Sequence, residues 1–304
     1  MNSILDEKNQ AILLKSIDPK IIAKKWKNEM GIDLSSKFEN LKSVDYWYCP
    51  ITGFRWYTPK EAAGDSTLYE QLEKYDWYYM KNKWEFVKAL SLIKKNSKIL
   101  EVGSGEGYFL DFAKQQNHKA DGVELNSKSA ARIKAKGFII HELLLSDLKK
   151  KTNHLYDNIC SFQVLEHVPN PLEFIKDMIN LINTGGKLIL SVPNDAVWRK
   201  IDPNNENLLN QPPHHMGHWD KGVFFSLEKL LPVKVNSIHY EPLANYHISW
   251  MTNDYLRNKF SFLGKKFSRL LINRFSTLPI QWLLKLGLRK YFPGHTILVE
   301  IEKL

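Results

Sequence analysis

Two cysteines in 304 residues, Cys49 and Cys160, leave no C-x-x-C pair and no disulfide framework. The chain reads as a protein of a reducing cytoplasm, held together by packing alone. It has no run of about 18 apolar residues, so no membrane-spanning helix is expected. Asp6, Glu7 and Lys8 stand where a secretory signal would carry its apolar stretch, so no signal peptide is expected either. Internal repeats and low-complexity tracts are missing. Acidic residues nearly vanish from 251–293, where Asp254 stands alone.

What is present is a foldable composition, 43% hydrophobic and 25% charged, long enough for one large α/β domain with additions. The balance of 43 basic to 33 acidic residues, a formal net charge of +10, favours anionic partners such as membrane surfaces, acidic glycans or nucleic acid.

The organising stretch is Lys98-Ile99-Leu100-Glu101-Val102-Gly103-Ser104-Gly105-Glu106-Gly107. A short apolar strand runs into three glycines at alternate positions, and a helical pattern starts at Tyr108. Glycine lets backbone turn sharply and approach a ligand closely, and the open N-terminus of the next helix offers N–H donors. The spacing G-x-G-x-G departs from the dinucleotide fingerprint G-x-G-x-x-G. No Gly-Lys-Ser/Thr follows, so this is no P-loop. The carboxylate of Glu101 before the turn suits a ligand bearing an ammonium group and no phosphate.

Glu101-x-Gly103-x-Gly105-x-Gly107 resembles motif I of class I S-adenosylmethionine-dependent methyltransferases. Later stretches follow in that family's order. Glu124-Leu125-Asn126 resembles motif II, with Glu124 at a strand tip about 20 residues after the turn, where a carboxylate accepts from both ribose hydroxyls. Tyr156-Asp157 before an apolar strand, then Leu165-Glu166-His167-Val168-x-x-Pro171, resembles the ubiquinone-pathway O-methyltransferases and their relatives. Gly185-Gly186-x-Leu188-x-x-Ser191-Val192-Pro193-Asn194 is a further family signature, and it puts Asn194 on the ligand-side rim.

The resemblance implies a Rossmann-like, doubly wound α/β fold: a mostly parallel seven-stranded sheet with its last strand joining antiparallel. It implies S-adenosyl-L-methionine as cofactor, with Glu101, Gly103, Ser104, Gly105, Gly107, Glu124, Asp147 and Gln163 as its binding residues. Asp147 is placed near the adenine amino group, with a plain helix-cap role as the alternative. Tyr79 and Lys83, before motif I, are candidates to touch the cofactor, with packing as the alternative.

The expected layout is an N-terminal extension over 1–90, a cofactor-binding core over 91–250, a basic amphipathic helical insertion over 251–293 and a closing core strand over 294–304. Residues 1–45 read as helical, with Asp18-Pro19 opening a helix that Gly31 ends. Residues 46–60 read as an aromatic hairpin around Pro50-Ile51-Thr52-Gly53. With Cys49 alone there, a four-ligand zinc site cannot assemble locally. Much of 66–95 reads as one amphipathic helix, and Ser127 as the cap of the helix after motif II.

Residues 195–222 read as a long polar loop, and loops of that length are usually functional or disordered. His215-x-x-x-Trp219 resembles the His-x-x-x-aromatic step of many relatives. His215, His214 and His167 are the catalytic candidates, as general base or its partner. For His167 the alternative is orienting the loop through a backbone bond. No metal is expected, because the adjacent His214 and His215 diverge in extended chain. In 251–293, Arg257, Lys259, Lys265, Lys266, Arg269, Arg274, Lys285, Arg289 and Lys290 interleave with leucines and aromatics. That pattern is a basic amphipathic helical pair suited to an anionic membrane surface, with a lid or dimer helix as the alternative.

The reaction implied is methyl transfer, first of all to a hydroxyl of a small molecule or of a cell-surface glycan or lipid precursor. The enzyme is then expected in the cytoplasm or at the inner membrane face. A non-catalytic cofactor-binding module and an RNA methyltransferase are the alternatives. The intact glycines and Glu124 speak against the first. The second lacks an evident appended RNA-binding domain, so nucleic acid is not the expected partner.

Overall fold

The computed structural model describes residues 1–152, 154–273 and 275–304, without the side chain of Lys265. Arg274, one of the basic residues of the insertion, therefore lies outside the described residues.

In chain order the strands are β1 Ile12–Ile17, β2 Val44–Tyr48, β3 Arg55–Thr58, β4 Lys98–Val102, β5 Lys119–Val123, β6 Ile140–His141, β7 Tyr156–Phe162, β8 Ile182–Pro193, β9 Gly217–His218, β10 Val233–Pro242 and β11 Pro293–Lys303. Seven of them form one sheet in the order β10-β11-β8-β7-β4-β5-β6. β6, β5, β4, β7 and β8 are mutually parallel. β11 inserts antiparallel between β8 and β10. The expected Rossmann-like sheet, with its antiparallel closing strand, is present.

Strand alternation divides the core between the two faces of this sheet. Leu100, Val102, Ile159, Leu188, Leu190, Val192, Ile297 and Val299 face one side, against helix Pro171–Asn180 and helix Lys221–Ser226. Ile99, Cys160, Phe162, Ile189 and Leu298 face the other, against helix Trp84–Leu92 and helix Tyr108–Gln115. Both faces are covered, which is why the central strands are apolar throughout rather than alternating. Each fully buried Leu or Ile contributes about 1.5–3 kcal/mol.

A second sheet of four antiparallel strands, β1-β2-β3-β9, lies in the N-terminal part. The aromatic hairpin is β2 and β3, with Trp47 opposite Trp56 and Tyr46 opposite Tyr57. Its fourth strand, β9, comes from deep within 91–250, so the extension and the histidine segment are woven together.

Several local expectations are corrected. Residues 12–17 are an edge strand rather than helix, because β2 offers a pairing partner that the local apolar run does not reveal. The helix after it follows the reading: Asp18 accepts from the Lys20 amide, Pro19 opens the helix, and Gly31 closes it at φ 65°. Residues 66–95 hold two helices, Ser66–Leu72 and Trp84–Leu92. Asp65 caps the first, and Tyr75 hydrogen-bonds the Met30 carbonyl at 2.9 Å in the stretch between them. Asn126, not Ser127, caps helix Ser127–Ala135, accepting from the amides of Lys128 and Ser129. The loop read over 195–222 contains helix Asp195–Ile201 and β9. The expected pair over 251–293 is three helices, Ile248–Lys259, Lys265–Leu271 and Leu278–Lys285.

Candidate active site

The C-terminal ends of the parallel strands open into one cavity of about 1600 Å³. Ligands sit at this edge of an open α/β sheet. The cavity has two halves, one built by β4 and β5, the other by segments far apart in sequence.

In the first half, β4 ends in the glycine turn. Gly103 has φ 79° and Gly105 has φ 52°, a region that non-glycine residues rarely occupy. Space forbids side chains as well: a Cβ on Gly103 would lie 2.4 Å from Val164 Cγ2, and one on Gly105 would lie 2.9 Å from Tyr79 Cε1. The turn is pinned to β5, since the amides of Gly103 and Ser104 both donate to the Val123 carbonyl, at 2.9 and 3.1 Å. Gly107 then precedes helix Tyr108–Gln115, whose N-terminus has no side-chain cap.

Glu124 follows β5 directly. Its Oε2 accepts from the Gly105 amide at 2.7 Å and its Oε1 from the Asn126 amide at 2.8 Å. Those bonds fix the carboxylate against the turn and leave further acceptor capacity on both oxygens. Burial raises its pKa, against the lowering effect of the same amides. Glu101 is fully enclosed on the Phe162 side of β4, and its Oε2 has no hydrogen-bond partner. Burial first, and the Glu124 carboxylate second, hold its carboxyl well above the ordinary range. A buried acceptor without a donor is costly. An incoming ammonium would satisfy it.

Other candidates fall differently. Gln163 lines the cavity at the end of β7 with φ 56°, a strained conformation for a residue with a Cβ. Ser104 turns inward: its hydroxyl donates to the Glu101 carbonyl at 3.2 Å and packs against Gly122. Asp147 is not brought to the cavity. It sits in the first turn of helix Leu145–Lys151, its carboxylate 3.0 Å from Lys150 Nζ, and its neighbours Leu143 to Ser146 line the wall instead. Nor is it the cap, which is Leu144. Tyr79 covers Gly105, and Lys83 lines the same cavity.

The second half collects histidines. His167 lies in the short turn after β7, and His214 and His215 precede β9. The adjacent pair does not diverge. Both amides donate to the Gln211 carbonyl at 3.1 Å, so the chain turns there, and the two rings stack 4.4 Å apart at 23°. His167 meets them edge-on, at 4.7 and 5.1 Å. The reason given above for excluding a metal, divergence of neighbours in extended chain, does not hold here. Burial is the main cause that lowers His167 to about 4 and His214 to about 3, and it puts His215 well below its ordinary value. All three are neutral at pH 7. His167 does bond backbone, through Nδ1 to the His214 carbonyl.

The small sheet holds this segment in place. Gly64 donates to the Pro213 carbonyl at 2.7 Å and Tyr57 to the Met216 carbonyl at 2.8 Å. His218 is absorbed structurally, between Tyr46 Oη at 2.7 Å and the Asn210 carbonyl at 3.0 Å. Trp219 is buried against Phe54 and Phe224. Asn194 is buried where helix Asp195–Ile201 begins and does not line the main cavity.

Sequence reading missed Glu166, Glu241, His247 and His295 as cavity residues. Glu166 is buried with a free Oε2, and burial lifts its carboxyl to about 8. Burial likewise lifts Glu241 to about 7 and lowers His247 to about 4 and His295 to about 3. One signal was available. An antiparallel closing strand starts where the parallel strands end, so polar residues opening β11 reach the ligand rim. Thr296 lies opposite Pro193, and the Asn194 amide donates to the His295 carbonyl at 2.7 Å.

Residues 73–264 match the family described as "Methyltransferase domain". The chain belongs to that family. It is an enzyme that transfers methyl groups from S-adenosylmethionine. Glu101, with its unpartnered oxygen, and Glu124, fixed against the glycine turn, fit that cofactor's ammonium and hydroxyl groups. Among curated proteins, the chain is similar to the ubiquinone biosynthesis O-methyltransferase of Sodalis glossinidius (strain morsitans), 25% identical over 174 residues, 55% of this chain and 67% of that one. The protein of the same name from Histophilus somni (strain 2336) is 26% identical over 175 residues, 53% of this chain and 73% of that one. A solved structure, a SAM-dependent methyltransferase from Archaeoglobus fulgidus, aligns over 79% of this chain and 100% of that one, with 16% identity and a TM-score of 0.46. Among the described residues no helix is long and apolar enough to cross a membrane.

Proposed function

We propose that the enzyme methylates a hydroxyl oxygen on a small molecule or on a glycan or lipid precursor. The observation that carries this reading is the cluster of His167, His214 and His215 in the cavity that the glycine turn also lines. Removing a hydroxyl proton needs a lone pair within reach of the acceptor, and the clustered ring nitrogens lining this cavity offer one. His215 is the general base or its close partner, and His167 is the competing base. The two relatives above carry O-methyltransferase in their names, which points the same way.

When bound, S-adenosylmethionine supplies a methyl group already activated on a sulfonium. The chain's own task is then alignment and proton removal. Glu101 holds the ammonium end, Glu124 the ribose hydroxyls, and Gln163 faces the methionine end. Aromatic side chains, Trp198, Tyr246 and Trp250 among them, line the same cavity.

The exposed face of 251–293 supports an acceptor met at a lipid surface. Phe262 is 77% exposed, Phe275 78%, Leu270 73% and Trp282 63%, where a soluble monomer would bury such side chains. Lys259, Lys266, Arg269, Lys285 and Lys290 are exposed in the same segment. Apolar residues ringed by cations suit an anionic bilayer.

The deciding experiment supplies isotopically methyl-labelled cofactor to the enzyme with glycan, lipid and small-molecule fractions, and locates the label by NMR. A methyl ether is expected; label on nitrogen or carbon overturns the reading. For the surface, co-sedimentation with phosphatidylglycerol vesicles is expected to fade with salt and to vanish on phosphatidylcholine. Salt-insensitive binding, or none, removes the lipid part.

A further inference from the structure

The three histidines share one further property. Each offers a ring nitrogen, and the three nitrogens lie within 4.8 Å of one another. Each ring holds its Nδ1 against an oxygen. His167 Nδ1 meets the His214 carbonyl. His214 Nδ1 is 2.8 Å from the Leu209 carbonyl, and His215 Nδ1 is 3.2 Å from Asn210 Oδ1. The amide of Asn210 is itself oriented, because its Nδ2 donates to Asn205 Oδ1 at 2.8 Å, and Asn205 Nδ2 in turn donates to Tyr57 Oη.

An oxygen that only accepts requires the hydrogen on Nδ1. In a neutral imidazole Nε2 is then a bare lone pair. Held that way, the Nε2 atoms are acceptors in a cluster whose ring centroids lie 4.4, 4.7 and 5.1 Å apart. His214 Nε2 is buried without a partner, on a residue only 7% exposed. Beside them lies the Glu166 carboxyl, its Oε1 3.8 Å from His167 Nε2 and its Oε2 unpartnered. Every one of these groups would be satisfied by a cation.

We propose that His167, His214 and His215 bind one divalent transition-metal ion of the zinc class through their Nε2 atoms. Imidazole nitrogens select zinc, cobalt or nickel over magnesium and calcium, which want oxygen. Anchoring of Nδ1–H by a carbonyl is the outer arrangement that metal-bound histidines use. Bonds of 2.0–2.1 Å put tetrahedral ligand nitrogens about 3.3 Å apart, so binding draws the rings together by small side-chain rotations. Three protein ligands leave a fourth position open, as catalytic rather than structural sites do.

The use of that position rests on the O-methylation reading above. There the acceptor's hydroxyl oxygen completes the coordination, which makes its proton easier to lose. A histidine that gives its lone pair to a metal cannot also take a proton. The proton leaves to solvent, breaking the acceptor O–H bond and leaving its electron pair on oxygen.

The test uses full-length protein stripped with chelator and dialysed. Cobalt(II) is the probe, because tetrahedral nitrogen coordination gives it an intense visible absorption. One equivalent is expected to bind, to be displaced by zinc, and to raise the melting temperature. His214→Ala should abolish the band. Because His214 is buried, Asn210→Ala serves as the second variant: it keeps all three ligands and should weaken zinc binding about 10–100-fold. Circular dichroism and cofactor calorimetry check that each variant is folded. No band and no bound zinc in folded wild-type protein overturns the proposal. Undiminished turnover by metal-free enzyme also overturns the activating role, while leaving O-methylation and the histidine base standing. A cobalt band in an enzyme that labels only nitrogen or carbon keeps the ion site and removes O-methylation.

Discussion

The two halves of the cavity are built by opposite means. The cofactor half is local: the glycine turn, Glu101 and Glu124 lie within 24 residues of one another, and main-chain amides fix the geometry. The acceptor half takes His167, His214 and His215 from turns that only the small sheet brings into register, and His247 and His295 from beyond residue 240. Where backbone makes a site, a short motif is enough to specify it. Where tertiary packing makes it, the residues are scattered and their chemistry depends on burial. Variants in the two halves should therefore fail differently.

The largest effect is expected from the acceptor half. His215→Ala should lower turnover about 10²–10⁴-fold, the range of lost acid–base catalysis, whether His215 takes the proton itself or holds the ion that loosens it. Affinity for S-adenosylmethionine should stay nearly unchanged, because the hydrogen bonds and ring contacts of His215 run to Asn210, Gln211, His167 and His214. Steady-state kinetics with calorimetry measures both. A loss of cofactor affinity matching the loss of turnover would erase the division between the halves.

Next comes Glu124→Ala. A hydrogen bond to a charged group contributes about 1.5–3 kcal/mol, so affinity should fall roughly 10–150-fold. The variant also frees the amides of Gly105 and Asn126, so part of the loss belongs to a loosened turn. Glu124→Gln keeps one acceptor oxygen and should recover some of the affinity. Equal affinity in the wild type and Glu124→Ala would remove this residue from the cofactor site.

The same division explains what could be read before the fold was known. The parallel sheet, the glycine turn and Glu124 were legible because each rests on a local rule: buried apolar strands, left-handed backbone that wants glycine, a carboxylate at a strand tip. Asp147 was misplaced because a spacing argument cannot tell which way the first turn of a helix faces, and Lys150 holds it on the solvent side. Residues 12–17 were misread because an apolar run fits helix or strand until β2 pairs with it. The convergence of His214 and His215 was illegible for a similar reason. Whether neighbouring side chains diverge depends on a turn at Gln211 that only packing against β3 selects. Glu166 gave no signal of function because a buried titratable group looks like any other charge in a string of letters, whereas His295 was legible only from its place at the start of the closing strand.

The smallest effect contrasts one residue from each half, His295 and Glu124, by the sign of its pH dependence. Burial, helped by His247 and Lys83, lowers His295 to about 3, whereas an unfolded histidine titrates near 6.5. Between those values the unfolded chain binds one more proton than the folded one, so stability falls as pH falls. The slope for one group is about 1.4 kcal/mol per pH unit, or about 2 kcal/mol by pH 5. His295→Gln has no such proton, so from pH 7.5 to 5 its stability should gain on the wild type by about that amount. Urea unfolding at the two pH values measures it. Glu124→Gln should behave the other way. The folded carboxyl of Glu124 titrates above its unfolded value, so the wild type loses stability as pH rises through that raised pKa, and the variant gains on it toward high pH. A His295→Gln variant that instead loses on the wild type as pH falls would mean that His295 is protonated in the fold, held by a carboxylate such as Glu241, and that its corner of the acceptor half is ion-paired rather than neutral.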